Sequence, residues 1–310
     1  MKYSLILSCL FKIFFGIKLV ANEKTVELVV YSGRENPSFI LSGQKLEEFN
    51  QIINKNNLEK KVVKKELGYR GLIIYDNQGN LENVIQGVPE AEDYILNEFE
   101  NDIPMTVCNH IKEKIVETKK NQSPWAGYQS DILKNATDED YASGVVCNYP
   151  PIRGPQTRPE YNPKNDGCGC FESLATKNNC YNYATDIVTN TFAQPGKAKG
   201  KKFRDFTCKE MIAGARADGL KYLGRFFPSM KIHSTNLNLL ALVIWPETDF
   251  HWYRLDINKF WSHKPGKTPV RNVDGSGNPI TNPHPSRQDS KPYTIFCGYF
   301  TIERSQVTIK

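Results

Sequence analysis

One cysteine and two histidines have the residue types and the order that thiol chemistry requires. Cys180 follows two asparagines that predict the start of a helix, and His251 and His263 come later in the chain. A thiolate is a strong nucleophile, and an imidazole can accept the thiol proton and return it to a leaving group. The positive end of a helix dipole would lower the thiol pKa from its ordinary value of about 8.5. The three residues therefore predict a nucleophile, a general base and a group that orients the base.

The elements around the histidines are predicted to place them side by side. Apolar and aromatic runs predict three consecutive strands, at residues 237–245, 250–255 and 259–263. A three-residue turn at Asp256-Ile257-Asn258, with Asn258 left-handed, would set His251 directly opposite His263. Their Cβ atoms would then be roughly 5 Å apart on one face of the sheet.

The order Cys180, His251, His263 resembles that of the NlpC-type papain-fold cysteine peptidases and the related CHAP amidases. The segment Asn179-Cys180-Tyr181-Asn182-Tyr183 is similar to the short cysteine-containing motif of CHAP domains. The resemblance implies a nucleophile at the start of a helix on a small antiparallel sheet, with the base and its partner on adjoining strands. Cys180 would attack an amide of a peptide or peptidoglycan-like substrate, His251 would act as base and His263 would orient it, without a cofactor.

The same residues also have structural interpretations. In a secreted protein Cys180 could pair with Cys168 or Cys170, and the histidines could be ordinary strand and turn residues. Cys168-Gly169-Cys170, Cys180 and a histidine could bind zinc, although a matching second pair of cysteines is missing. Whether Cys180 is free separates the catalytic interpretation from the structural one.

The predicted fold class is α+β, in two modules. Residues 22–100 form a small N-terminal α+β module, with a strand at 26–31, a helix at 42–53, a hairpin of strands 71–75 and 81–85, and a helix at 90–99. Residues 101–160, rich in Asn, Asp, Lys and Pro, are predicted to connect it to the second module. Residues 161–310 form the papain-like, NlpC-type α+β domain that the resemblance implies.

The first 21 residues predict a secretory signal peptide. Two lysines, Lys12 and Lys18, interrupt the apolar stretch, and each uninterrupted run is shorter than the roughly 20 residues of a membrane-spanning helix. We therefore expect a secreted glycoprotein without a membrane span. The Asn-X-Ser/Thr sequences predict glycosylation at Asn121 and Asn135.

The cysteine count supports an oxidising compartment. Removal of the signal peptide takes Cys9 and leaves seven cysteines in the mature chain. Six of them could form three disulfides, with one thiol remaining. They are Cys108, Cys147, Cys168, Cys170, Cys180, Cys208 and Cys297.

The charge of the chain is concentrated in one short run. The formal net charge of +6 falls to +3 without the signal peptide, because 37 basic residues then face 34 acidic ones. The run between residues 197 and 204 could contact a polyanion or glycan, or it could be a solvated loop. Its cations are Lys197, Lys199, Lys201, Lys202 and Arg204. Aromatic residues at 250–253 and 260–261 could line a sugar or peptide groove, and Asp274–Asn278 is typical of a turn.

These observations lead to two predicted functions. The first is a secreted thiol-dependent amide hydrolase, a peptidase or cell-wall amidase. The alternative is a non-catalytic secreted protein that binds glycans or belongs to an extracellular matrix, with structural disulfides.

Overall fold

The computed structural model describes residues 22–56, 67–120, 158–162, 170–228, 238–285 and 288–310. The predicted signal peptide, the predicted glycosylation sites Asn121 and Asn135, and the cysteines Cys147 and Cys168 lie outside these ranges. Within the described ranges, no helix has the length and apolar character needed to cross a membrane.

The N-terminal half contains an antiparallel sheet covered by helices. Its strands run in the order β2-β1-β3-β4. They are β1 (Glu23–Leu28), β2 (Ser38–Ser42), β3 (Leu72–Tyr75) and β4 (Leu81–Ile85). Helices α1 (Gly43–Lys55) and α2 (Pro89–Glu98) and the hairpin of β3 and β4 confirm their predictions. The first predicted strand begins three residues earlier than expected, and β2, which directly precedes α1, was not predicted.

A third helix occupies the start of the segment that was predicted to be a connection. Helix α3 (Met105–Lys120) buries Val107, Ile111 and Ile115 in the core of the N-terminal half. Their spacing of four residues places them on one face of the helix. The polar composition of the surrounding sequence hides this apolar face, and the boundary at residue 101 is therefore corrected.

The C-terminal half contains a second antiparallel sheet, in the order β5-β9-β6-β7-β8. Its strands are β5 (Lys221–Gly224), β6 (Asn238–Trp245), β7 (Asp249–Leu255), β8 (Trp261–His263) and β9 (Ile295–Ile302). The helices of this half are α4 (Cys170–Ser173), α5 (Cys180–Thr185) and α6 (Cys208–Ala217). The α+β class is confirmed.

The second sheet has a hydrophobic core on each face. Alternate residues of β6, such as Leu240 and Leu242, pack with Cys180 of α5 and Met211 of α6. The intervening residues, such as Val243, belong to a core that also contains side chains of β1, α1, α2 and α3. One hydrophobic core therefore joins the two predicted modules.

Disulfides reinforce the C-terminal half. Cys208, the first residue of α6, is bonded to Cys297 of β9, 89 residues later in the chain. Cys170 is also disulfide-bonded, whereas Cys108 and Cys180 are buried free thiols. The disulfide chemistry expected of a secreted protein is therefore present.

Candidate functional site

The start of α5 matches its prediction. The side chain of Asn179 accepts hydrogen bonds from the backbone N–H groups of Tyr181 and Asn182, and the Asn182 side-chain oxygen accepts one from the backbone N–H of Asn179. This reciprocal capping fixes the beginning of a six-residue helix, with Cys180 as its first residue. The sequence therefore placed the thiol correctly at a helix start.

The chemical state of that thiol differs from the expectation. Cys180 is fully buried, and its Sγ donates a hydrogen bond to the backbone oxygen of Phe250 at 3.8 Å. Desolvation by burial raises the pKa of the Cys180 thiol well above its ordinary value, and the negative charge of Asp249 adds to the increase. Because the loss of water outweighs the helix dipole, the group is a neutral thiol rather than an activated nucleophile.

The register of the histidine hairpin also differs from its prediction. The structure pairs Tyr253 with His263, two positions away from the predicted pairing of His251 with His263. The turn lies one residue later than expected, and the left-handed residue is Lys259, with φ of 70°, instead of Asn258. Because a shift of two residues keeps each side chain on its own face, the two histidines remain diagonal neighbours.

The two imidazoles are joined by a direct hydrogen bond. Nε2 of His251 and Nδ1 of His263 are 2.8 Å apart, and Nε2 of His263 lies 3.1 Å from the carbonyl oxygen of Val273. A carbonyl only accepts, so His263 carries its proton on Nε2 and accepts at Nδ1 from the Nε2–H of His251. Nδ1 of His251 is then an acceptor, and it is buried with no hydrogen-bond partner among the residues that the structure describes.

Both histidines are neutral at physiological pH. Desolvation lowers the pKa of His263 to about 3, with the charge of Arg271 as the next cause. Desolvation, followed by the neighbouring His263, also lowers the pKa of His251 well below its ordinary value. The structure therefore brings the two histidines together but forms no hydrogen bond between His251 and Cys180. The thiolate–imidazolium pair expected for catalysis is absent from these residues.

A short N-terminal segment covers this region. Asp249 accepts hydrogen bonds at Oδ2 from the backbone N–H groups of Ser32 (2.6 Å) and Gly33 (3.1 Å) and from the Tyr293 hydroxyl (2.6 Å). The carbonyl oxygen of Gly33 accepts from the Asn179 side chain at 2.7 Å. A Cβ at position 33 would lie 2.6 Å from the Phe250 ring, so the chain passes close enough to require glycine.

Two of the buried charged residues near α5 escaped the sequence interpretation. One is Asp249, described above. The other is Lys264, whose ammonium group donates to the carbonyl oxygens of Ala175, Asn178 and Gly266. Burial lowers the pKa of Lys264 well below its ordinary value. Neither residue lies in a recognisable motif, and only the folded chain supplies the partners that make their burial tolerable.

The other predicted sites have mixed outcomes. The predicted aromatic groove is not formed, because Phe250, Trp252, Tyr253 and Trp261 are core residues and Phe260 is the one exposed aromatic side chain of the set. Zinc binding through Cys170 is excluded by its disulfide, and the described residues contain no cluster of three or more metal-binding side chains. The turn at 274–278 is confirmed by its internal backbone hydrogen bonds.

The five predicted polyanion-contacting cations are all exposed. They lie on the segment of residues 197–204, which we call the basic loop. Within the described part of the chain, no ion pair is formed by Lys197, Lys199, Lys201 or Lys202. Arg204 approaches Glu210 at 3.8 Å.

Comparison with known proteins finds one informative similarity. The chain is 44% identical over 132 residues to insoluble matrix shell protein 1 of Ruditapes philippinarum. The alignment covers 43% of this chain and 84% of that protein. No protein-family model and no solved structure matches the chain. The similarity overturns the prediction of a hydrolase or thiol protease, since it points to a matrix protein and the predicted nucleophile is a buried, neutral thiol.

Proposed function

Since the chain belongs to the family of insoluble matrix shell protein 1, we propose that it is a secreted, non-catalytic structural protein of an extracellular matrix. The main support for this proposal is the similarity itself, because 44% identity extends over most of the relative's length. The proposal corresponds to the alternative that the sequence left open beside the hydrolase.

The condition of the cysteines supports this function. A protein that persists in an oxidising extracellular deposit benefits from disulfides, and the bond between Cys208 and Cys297 closes a long loop of the chain. Cys180, in contrast, is fully buried in the core that α5 and α6 form with the second sheet, and its thiol is neutral. In this interpretation Cys180 acts as a small hydrophobic core residue.

The buried polar groups support the same function. Asp249 and Lys264 make hydrogen bonds that connect segments distant in sequence, and the histidine pair links two adjoining strands. Such hydrogen bonds help to define a unique packing, although Nδ1 of His251 and Oδ1 of Asp249 have no partner among the described residues. They are consistent with a scaffold whose functional surface lies outside the region of Cys180.

Fractionation of the tissue that expresses the protein tests the proposal. An antibody against the mature chain should detect it in the extracellular matrix fraction that resists extraction by salt and mild detergent. Detection confined to the cells would contradict the proposal.

A second experiment separates the matrix role from residual catalysis. The secreted mature chain and its Cys180→Ala variant should behave alike in an assay of amide hydrolysis and should partition equally into the matrix fraction. Cys108→Ala, which removes the other buried free thiol, is the matched control for loss of stability. Amide hydrolysis that disappears in Cys180→Ala and persists in Cys108→Ala would overturn the non-catalytic assignment.

A further inference from the structure

We propose that the basic loop is a binding surface for a sulfated polysaccharide. This inference rests on the proposed extracellular function, because a lysine-rich run of this length suits either nucleic acid or a sulfated glycan. A secreted protein meets the glycan rather than the nucleic acid. The loop therefore identifies a class of partner for a matrix protein whose other described features are structural.

The first observation is that no described carboxylate forms an ion pair with a lysine of the loop, although Glu35 and Asp218 interact electrostatically with Lys197 and Lys199 over a longer distance. Lys197, Lys199, Lys201 and Lys202 make no ion pair with any described residue, and the nearest carboxylates in sequence are Asp205 and Glu210. Four ammonium groups within six residues repel one another in water. A polyanion relieves this repulsion by placing an opposite charge between them.

The second observation is that the start of the loop is held in a fixed shape. The backbone N–H of Gly196 donates to Asp218 at 2.7 Å, and the N–H of Lys201 donates to the Gly196 carbonyl at 2.8 Å. Gly196 has φ of 81°, and a Cβ there would lie 2.0 Å from the Lys201 carbonyl oxygen. Asp218 is itself buried and accepts a hydrogen bond from the Tyr181 hydroxyl.

The end of the loop is anchored as well. Phe203 lies between Lys202 and Arg204 in the sequence, and its side chain is buried. Its ring contacts the Phe250 ring edge-on, with 5.6 Å between the ring centroids. Thr207 then caps α6, whose first residue is the disulfide-bonded Cys208. A backbone fixed at both ends loses little conformational entropy when its side chains bind a ligand.

The choice of lysine indicates the chemistry of the partner. Arginine is favoured where a carboxylate is recognised by two parallel hydrogen bonds, whereas lysine acts as a compact point charge. Four of the five cations are lysines, and the guanidinium of Arg204 already approaches Glu210. A row of point charges fits sulfate groups repeated along a sugar chain better than the carboxylates of an acidic polypeptide.

Direct binding measurements test this surface. The mature chain is titrated with heparin as the sulfated probe, with dextran as the uncharged sugar and polyglutamate as the acidic polypeptide. The test variant carries Lys197→Gln, Lys199→Gln, Lys201→Gln and Lys202→Gln. The matched control removes four exposed lysines elsewhere, with the substitutions Lys55→Gln, Lys221→Gln, Lys291→Gln and Lys310→Gln.

We expect the loop variant to bind heparin at least tenfold more weakly at about 0.1 M salt, and the control variant to change by less than about twofold. A variant with arginine at the same four loop positions should retain binding, since it keeps the charge. Thermal melting should show that all variants remain folded. Equal weakening in the loop and control variants would show that only the net charge matters, and tighter binding of polyglutamate would identify an acidic protein as the partner. Either result overturns the proposal.

The outcomes also separate this inference from the matrix function. If the protein is not found in the extracellular matrix fraction but still binds heparin through the basic loop, only the matrix assignment is contradicted. Unchanged heparin affinity in the loop variant, with the protein still in the matrix fraction, would contradict the binding surface alone.

Discussion

The two sheets of the molecule differ in how many of their faces are buried. Every residue of β6 and β7 is buried, whereas β2 exposes three of its five residues and β4 exposes two of five. A strand buried on both faces needs a covering layer on each side. For the second sheet, one layer is α5 and α6, and the other includes the N-terminal half. The N-terminal half therefore acts as a structural layer of the whole protein.

Hydrogen bonds between the two halves accompany this shared core, and we call them the hydrogen-bonded joint. Asp249 at the start of β7 receives backbone hydrogen bonds from Ser32 and Gly33 of the other half. Thr248 accepts a hydrogen bond at its carbonyl oxygen from Arg34. The two halves are therefore joined by apolar packing and by directional bonds, and each contribution can be removed separately.

Removal of the disulfide should cause the largest loss of stability. The double variant Cys208→Ser/Cys297→Ser frees a loop with a sequence separation of 89. Loop-closure entropy predicts a decrease of about 4.6 kcal/mol in the free energy of unfolding, measured by urea titration. The described residues of the N-terminal half contribute no disulfide. If removal left the unfolding midpoint unchanged, the second sheet would owe its stability to the shared core alone.

Loss of the Asp249 carboxylate should have the next largest effect. Asp249→Ala leaves the N–H groups of Ser32 and Gly33 and the Tyr293 hydroxyl without their acceptor. We expect a decrease of about 3 kcal/mol in the free energy of unfolding, because buried unsatisfied donors are costly. Asp249→Asn keeps one acceptor oxygen and should lose less. Equal losses in the two variants would contradict a hydrogen-bonded joint between the halves.

Acidification should destabilise both halves through their buried histidines. Burial lowers the folded-state pKa of His263 to about 3 and that of His110 to about 4. The unfolded chain therefore binds protons first, so the stability these groups provide is complete above about pH 6.5 and falls as the pH decreases toward the folded pKa. Each histidine should contribute a loss of up to about 2 kcal/mol between pH 6.5 and 5.0.

The pH dependence of urea unfolding checks this expectation. Removal of one histidine, by His263→Asn or His110→Gln, should flatten the slope in that interval. Asp218 works in the opposite direction, because burial raises its pKa to about 6 and the folded state then gains protons first as the pH falls. Asp218→Asn should therefore make the acid loss steeper. An unchanged slope in both histidine variants would mean that other groups dominate the acid transition.

A pair of isoleucines should give the smallest effect and compare the two sheets directly. Ile40 of β2 is 62% exposed, and Ile244 of β6 is fully buried. Loss of one methyl group in Ile244→Val should cost about 1 kcal/mol, whereas Ile40→Val should change the stability by less than about 0.5 kcal/mol. Urea titration of each variant and of the unmodified protein gives the two differences in the free energy of unfolding. A larger effect at Ile40 would indicate that β2 is covered by a partner in solution.

Local elements were largely predictable, because their signals lie within a few residues. Asn179 and the residues after it contain the complete reciprocal cap of α5, and the turn at 76–80 separates two apolar runs as a hairpin requires. The hairpin of the histidines shows the limit. Its position depended on whether Asn258 or Lys259 took the left-handed conformation, and a change of one residue in the turn altered every pair between β7 and β8.

The amino-acid sequence by itself determined the α+β class, most of the helices and strands, and the order of Cys180, His251 and His263. Only the tertiary structure decided the chemical state of those residues. Burial within the fold removes the water that would stabilise a thiolate or an imidazolium, so desolvation outweighs the local helix dipole. The same packing leaves the four lysines of the basic loop in water with their charges intact. Whether a charged group is buried or exposed depends on contacts between distant segments, and local sequence patterns do not contain that information.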